Sequence, residues 1–223
     1  MINNVRCDRL FTTEGSSVAL DYILAYNYPW DVLPNIKRII LEIGESLDPE
    51  EYERRGEDIW VSKGANVAAS AHIVGPAIIM NGAEIRQCAF IRGSALVGRN
   101  SVVGNSCELK NCILFDNVQV PHFNYIGDSI LGYRSHTGAG ALTSNVKSDK
   151  TLVTVNIDGE RVETGLKKFG AILGDNVEVG CNSVLNPGTV VGQNTNIYPL
   201  SSVRGYIPDN SIFKSQTNIV KKM

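Results

Sequence analysis

The sequence predicts an all-β protein wound as a parallel β-helix, and three observations carry that prediction. Counting in sixes from Val61 meets an aliphatic residue at every step: Val61, Val67, Ile73, Ile79, Ile85, Ile91, Val97, Val103 and Leu109. Four residues after these stand small side chains, at Ala65, Ala71, Ala77, Ala83, Ala89, Ala95, Ser101 and Cys107. The aromatic share is only 7% beside a hydrophobic content of 43%, so the interior is built from Val, Ile, Leu and Ala. A hexapeptide period of this kind closes three hexads into one triangular coil of about eighteen residues, with aliphatics in the lumen and small residues at the corners. Helical (3.6) and open-strand (2) periods do not fit these segments.

The elements follow in chain order. Residues 1–58 do not keep the beat, and their stretch PNIKRIILEIGESL places Ile36, Ile39, Ile40, Ile43 and Leu47 on one helical stripe after Pro34. This segment is expected to be a small N-terminal helical cap, packed on the solenoid or covering its end. Residues 59–214 are assigned to the β-helix. The beat slips once, resuming at Leu114, Val120 and Ile126, and then again at Leu131. It returns at Leu173, Val179, Leu185, Val191, Ile197 and Val203, with Val177, Ser183, Thr189, Thr195 and Ser201 in the small slots. Glycines such as Gly98, Gly104, Gly127, Gly180 and Gly192 are expected to allow the turns. Within the coil, residues 146–170 read as an insertion: Asp158-Gly159 separates TLVTVNI from ERVETGL, which predicts a β-hairpin projecting as an arm. Residues 215–223 form a C-terminal tail.

Composition narrows the function. The formal charge is −2, from 21 basic and 23 acidic residues, and gives no electrostatic footprint for nucleic acid or an anionic membrane. The N-terminus has no apolar signal region, and no stretch approaches the ~20 apolar residues of a spanning helix, so a cytoplasmic protein is expected. The five cysteines are scattered without a CxxC pair, which fits a reducing compartment and no structural zinc.

Once the coil is accepted, spacing becomes geometry. Arg92 and Lys110 each follow a lumen aliphatic, Ile91 and Leu109, one coil apart. They point outward on one face at about the 4.8 Å strand separation. Two stacked cations repel unless something negative joins them, either Glu108 or a bound phosphate. His122 lies two residues past lumen Val120, near a corner, where its ring can face outward. A neutral imidazole there is suited to take a proton from an amine. His72, His122 and His136 are the protein's three histidines, and their separations do not suit a shared metal.

At residues 103–145, VGNSCELKNCILFDNVQVPHFNYIGDSILGYRSHTGAGALTSN, and again at KFGAILGDNVEVG, the chain resembles a known family. It is similar to the acetyltransferase domain of the bacterial bifunctional N-acetylglucosamine-1-phosphate uridylyltransferase/glucosamine-1-phosphate acetyltransferase. The resemblance implies a left-handed β-helix, acetyl-coenzyme A as co-substrate, and a homotrimer with active sites between subunits. By the same resemblance His122 is the general base, while Arg92, Lys110, Tyr125 and Asn145 hold a sugar phosphate or nucleotide sugar. Glu108 is an acidic residue of that pocket. Lys168 reaches the site from the neighbouring subunit, and Cys181 and Pro199 line the coenzyme groove. The chain departs from the family in having His136 where a substrate-binding asparagine stands, and Cys181 in place of a small serine. The hairpin is longer and resembles that of archaeal and short sugar-1-phosphate transferase relatives. The uridylyltransferase domain and its glycine-rich signature are absent, so pyrophosphorylase activity is not expected. Two functions follow: acyl transfer to the amine of an amino-sugar phosphate or nucleotide sugar, or a sugar-nucleotide-binding or regulatory β-helix without turnover.

Overall fold

The hexads stack as their spacing orders them. In the computed structural model, which describes residues 2–222, the chain winds as a left-handed parallel β-helix with three flanks. On the first flank Trp60 lies opposite Ile78, and Ile78 opposite Leu96. Val67, Ile85 and Val103 align on the second, and Ile73, Ile91 and Leu109 on the third. Lumen aliphatics from Ile79 to Val203 are buried. Val67 and Ile73, in the end coil, are half-buried. Between Leu131 and Leu173 the lumen slots hold Thr137 and Thr143, each 1% exposed, which is why an aliphatic count loses the beat there.

Both slips have one structural cause. Glu108–Leu114 and Tyr125–Leu131 are strands that run unbroken from the third flank round the corner into the first. Each corner is one residue shorter, so Asn111 and Asp128 are partners seventeen residues apart. Corners throughout are turned by residues in the left-handed region, among them Asn100, Asn111, Asn117, Asp128, Asn176, Asn182 and Asn194. Asn and Asp tolerate that conformation because a short polar side chain bonds locally. This corrects the role given to glycine. Gly98, Gly104, Gly127, Gly180 and Gly192 are not left-handed. They stand where a side chain has no room: a Cβ on Gly104 would lie 1.6 Å from the Pro121 carbonyl oxygen of the next coil.

The first flank is apolar outside as well as inside. Its outward residues Ile78, Leu96, Ile113, Ile130, Ile172 and Val190 are fully buried because the N-terminal segment and the hairpin cover them. The helix Ile36–Ser46 buries Ile36, Ile39, Ile40 and Ile43 and packs on the strands Ala77–Ile79, Ala95–Val97 and Glu108–Leu114. Gly44 lets Trp60 in, since a Cβ there would meet the indole at 2.5 Å. Further along, the buried Asp175 carboxylate accepts hydrogen bonds from the Thr12 and Thr13 amides at 3.1 and 3.0 Å. The helical segment is therefore a flank cover, and of the two expected placements the end of the coil is not the one taken. At the ends, Tyr52–Gly56 and Asn218–Lys221 add antiparallel strands to the outermost coils.

The hairpin forms from Thr154–Ile157 and Glu160–Glu163, with Asp158 and Gly159 both left-handed, as a type I′ turn requires. It does not stand free. Val153, Val155 and Ile157 are buried against the same flank, where Gly188 and Gly205 leave room for the backbone of Thr154 and Asn156. Only its outer strand extends into solvent. Among the described residues, no helix is long and apolar enough to cross a membrane.

Candidate active site

The third flank carries the polar chemistry. Ile91 and Leu109 are strand partners, so Arg92 and Lys110 are neighbours on its surface. Each cation has its own carboxylate. Arg92 Nη1 donates to Glu108 Oε1 at 2.6 Å, and Lys110 Nζ donates to Asp128 Oδ1 and Oδ2 at 2.9 and 3.2 Å. Glu108 was foreseen as a neutralising group; Asp128 was not. The Arg92 side chain remains half exposed at 51%, while that of Asp128 is only 5% exposed.

Tyr125 stands opposite Glu108 on the next coil. Its ring folds over Gly127, where a Cβ would meet the phenol oxygen at 2.4 Å. The hydroxyl accepts a hydrogen bond from Asn145 Nδ2 at 3.2 Å, and that same amide also donates to Asp128 Oδ2. Burial, then the carboxylates of Asp128 and Glu108, push the phenol above its ordinary range. It is thus held protonated and retains a proton to donate. Arg92, Glu108, Lys110, Tyr125 and Asn145 are brought together, with Asp128 and Asn111 at their centre. The two residues missed in the sequence are those at which the beat slips, which is the signal that marks them.

His122 ends the strand Gln119–His122, at the corner leading into the strand of Tyr125. Its backbone is fixed: the amide donates to Asn124 Oδ1 at 3.0 Å, and the carbonyl accepts from Gly140 N at 3.0 Å. Buried Asn124 in turn donates to the carbonyls of Gly138 and Ala141 at 2.8 and 2.9 Å. The imidazole is exposed and has no hydrogen-bond partner among the described residues. It shares this corner with Cys181 and Pro199 on later coils, where Asn182 N donates to Ala139 O and Leu200 N to Cys181 O, both at 2.9 Å. Cys181 is an exposed free thiol.

The remaining residues lie apart. His136 is on the second flank, between Gln119 and Glu178, and its Nδ1 is 2.8 Å from Glu178 Oε2. It does not touch the third-flank cluster. Lys168 is exposed at the return of the hairpin, next to Phe169, whose amide donates to Asn145 O at 3.0 Å. Among the described residues no His, Cys, Asp and Glu come together in a metal-binding group, and His72 packs its ring on Phe90 at 5.6 Å.

Comparison with known proteins locates the coil among relatives. The bifunctional protein GlmU of Methanococcus vannielii is 40% identical over 119 residues, which are 53% of this chain and 28% of that protein. A bifunctional sugar-1-phosphate nucleotidylyltransferase/acetyltransferase of Sulfurisphaera tokodaii is 34% identical over 109 residues, 49% of this chain and 27% of that protein. The chain thus spans less than a third of the length of these curated relatives. Among solved structures, the acetyltransferase domain of PglB from Neisseria gonorrhoeae aligns at 16% identity with a TM-score of 0.34, covering 74% of this chain and 57% of that one. The family described as the GMPPB C-terminal domain matches residues 73–192, more than half of the 223, and the protein belongs to that family.

Proposed function

We propose that the protein is an acetyl-coenzyme A-dependent N-acetyltransferase acting on an amino-sugar phosphate or nucleotide sugar. One observation carries this reading: two cations, a phenol and an amide converge on a single flank, bordered by a histidine on a fixed backbone whose ring has no hydrogen-bond partner among the described residues. The relative named as a bifunctional sugar-1-phosphate nucleotidylyltransferase/acetyltransferase supports it, as does the resemblance of residues 103–145.

In this reading Arg92 and Lys110 meet the phosphate, Arg through its planar fork and Lys through a point charge. Tyr125, Asn145 and Glu108 orient the sugar. The acceptor amine attacks the thioester carbonyl carbon; the C–N bond forms, the C–S bond breaks, and the thiolate leaves to be protonated. His122 accepts the proton lost by the amine nitrogen. Backbone N–H groups of the coil stabilise the oxyanion. The coenzyme runs along the corner of Cys181 and Pro199, and Lys168 comes from a neighbouring copy in a homotrimer. His136, engaged by Glu178, contributes to acceptor choice rather than to proton transfer. The free cysteines fit a cytoplasmic setting.

A second reading, a sugar-nucleotide-binding or regulatory β-helix without turnover, is favoured by His136, which stands where the family has a substrate-binding asparagine and is engaged by Glu178. One assay separates the two. The protein is mixed with acetyl-coenzyme A and a panel of amino-sugar phosphates and nucleotide amino sugars, and free thiol is followed. Turnover is expected with at least one acceptor, and His122→Ala lowers it by about 100-fold or more. No turnover with any acceptor, or an unchanged rate in His122→Ala, overturns the proposal.

A further inference from the structure

The Asp128 carboxylate has no place in the chemistry above, yet the polar groups of the flank converge on it. Lys110 Nζ reaches both its oxygens, Asn111 Nδ2 donates to Oδ1 at 2.9 Å, and Asn145 Nδ2 donates to Oδ2. A carboxylate this buried persists only when paired and hydrogen-bonded, so its geometry is over-determined. Its backbone is equally constrained: φ is +49°, and its carbonyl accepts from Gly170 N at 2.8 Å, where the hairpin rejoins the coil.

The network continues into the N-terminal segment by two separate routes. Asn111 Nδ2 also donates to the Leu33 carbonyl at 3.2 Å. Trp30 packs its ring on Phe169 at 6.3 Å, and Phe169 N donates to Asn145 O. The stretch around residues 30–33 lies outside the family's matched residues. It nonetheless backs the flank where Lys110 and Asn145 stand.

We infer that Asp128 is a positioning residue of the acceptor site: its carboxylate fixes the Lys110 ammonium and the Asn145 amide, and Asn111 ties it to the N-terminal segment. This rests on the proposed function in one respect, that Lys110 and Asn145 contact the acceptor. The physical gain is pre-organisation. A lysine is costly to immobilise. Two oxygens behind its ammonium settle it before a ligand arrives, and an ammonium has three donors, so one remains for a phosphate. The side chain of Lys110 is 23% exposed, enough to be reached.

The test uses the full chain and Asp128→Asn, which keeps the shape and tolerates the left-handed backbone while removing the charge. Glucosamine 1-phosphate binding is measured by calorimetry without acetyl-coenzyme A, and acetyl-coenzyme A binding separately. Asp128→Asn is expected to weaken the sugar phosphate by about tenfold or more, with acetyl-coenzyme A affinity nearly unchanged. The melting midpoint falls, because the new amide turns an N–H toward donors and leaves Lys110 unpaired. Adding Lys110→Met to Asp128→Asn should cost little further, because the two act as a unit. Wild-type affinity in Asp128→Asn, or independent losses in the double variant, overturns the inference. Side-chain amide exchange of Asn145, followed by 15N NMR in the unliganded protein, separates the two ideas. If the wild type neither binds nor acetylates but Asp128→Asn speeds that exchange, positioning stands and the proposed function falls. If the exchange is indifferent to Asp128, positioning falls whatever the activity.

Discussion

Gly104 has no side chain because the next coil leaves no room for one. Its position sets the closeness at which Pro121 can pass, and a methyl group there collides with main chain that cannot swing away. Gly104→Ala is therefore expected to destabilise the protein by about 3 kcal/mol or more. Asn117→Gly, at a corner already left-handed with φ of +61°, should change stability by less than about 1 kcal/mol. Denaturant unfolding of the two variants checks both. Stacked Arg92, Lys110 and Glu108 were legible in the sequence, because a fixed coil length turns spacing into adjacency. Asp128 was not. The shortened corner shifts it one position along from Gly127, the strand partner of Lys110, and only the fold shows the carboxylate turning back to the ammonium.

Elements show the same division between local and non-local information. The stripe of Ile36, Ile39, Ile40 and Ile43 announced a helix, and Asp158-Gly159 announced a hairpin, since both are patterns within a few residues. Where they pack was less legible: the helix was left between the side of the solenoid and its end, and the hairpin was expected to project as an arm. The clue lay in residues one coil apart: Ile78, Leu96, Ile113, Ile130, Ile172 and Val190 each precede a lumen aliphatic and face outward. A bare flank of that kind needs a cover. The cover is accordingly part of the core, and Ile40→Ala should cost about 2–5 kcal/mol despite lying outside the coil. Calorimetric melting checks this; a loss below about 0.5 kcal/mol, typical of a surface site, would show that the helix rides loosely on the flank.

Across the whole molecule, stability at high pH reports on the far end of the covered flank. Burial, with a smaller contribution from the Asp209 carboxylate, pushes the Tyr206 phenol up to about 12. Its folded value lies above the unfolded one, near 10. The stability it contributes is therefore fully present below about pH 10 and is lost as pH rises toward 12. Phenolate absorbance should show this tyrosine lagging the exposed ones, and Tyr206→Phe should reduce the alkaline loss of stability.

A bare solenoid has no intrinsic length: a coil added or removed leaves every neighbour the same kind of neighbour. Here the covered flank removes that freedom. The N-terminal segment begins its contacts at Trp60 and reaches Asp175 and Gln193, and the hairpin continues to Gly205. An extra coil would advance the strands by about 4.8 Å and open a strip of apolar surface that neither element could reach. The segment thus works as a ruler: in this protein the number of coils can drift only if the cover changes length with it.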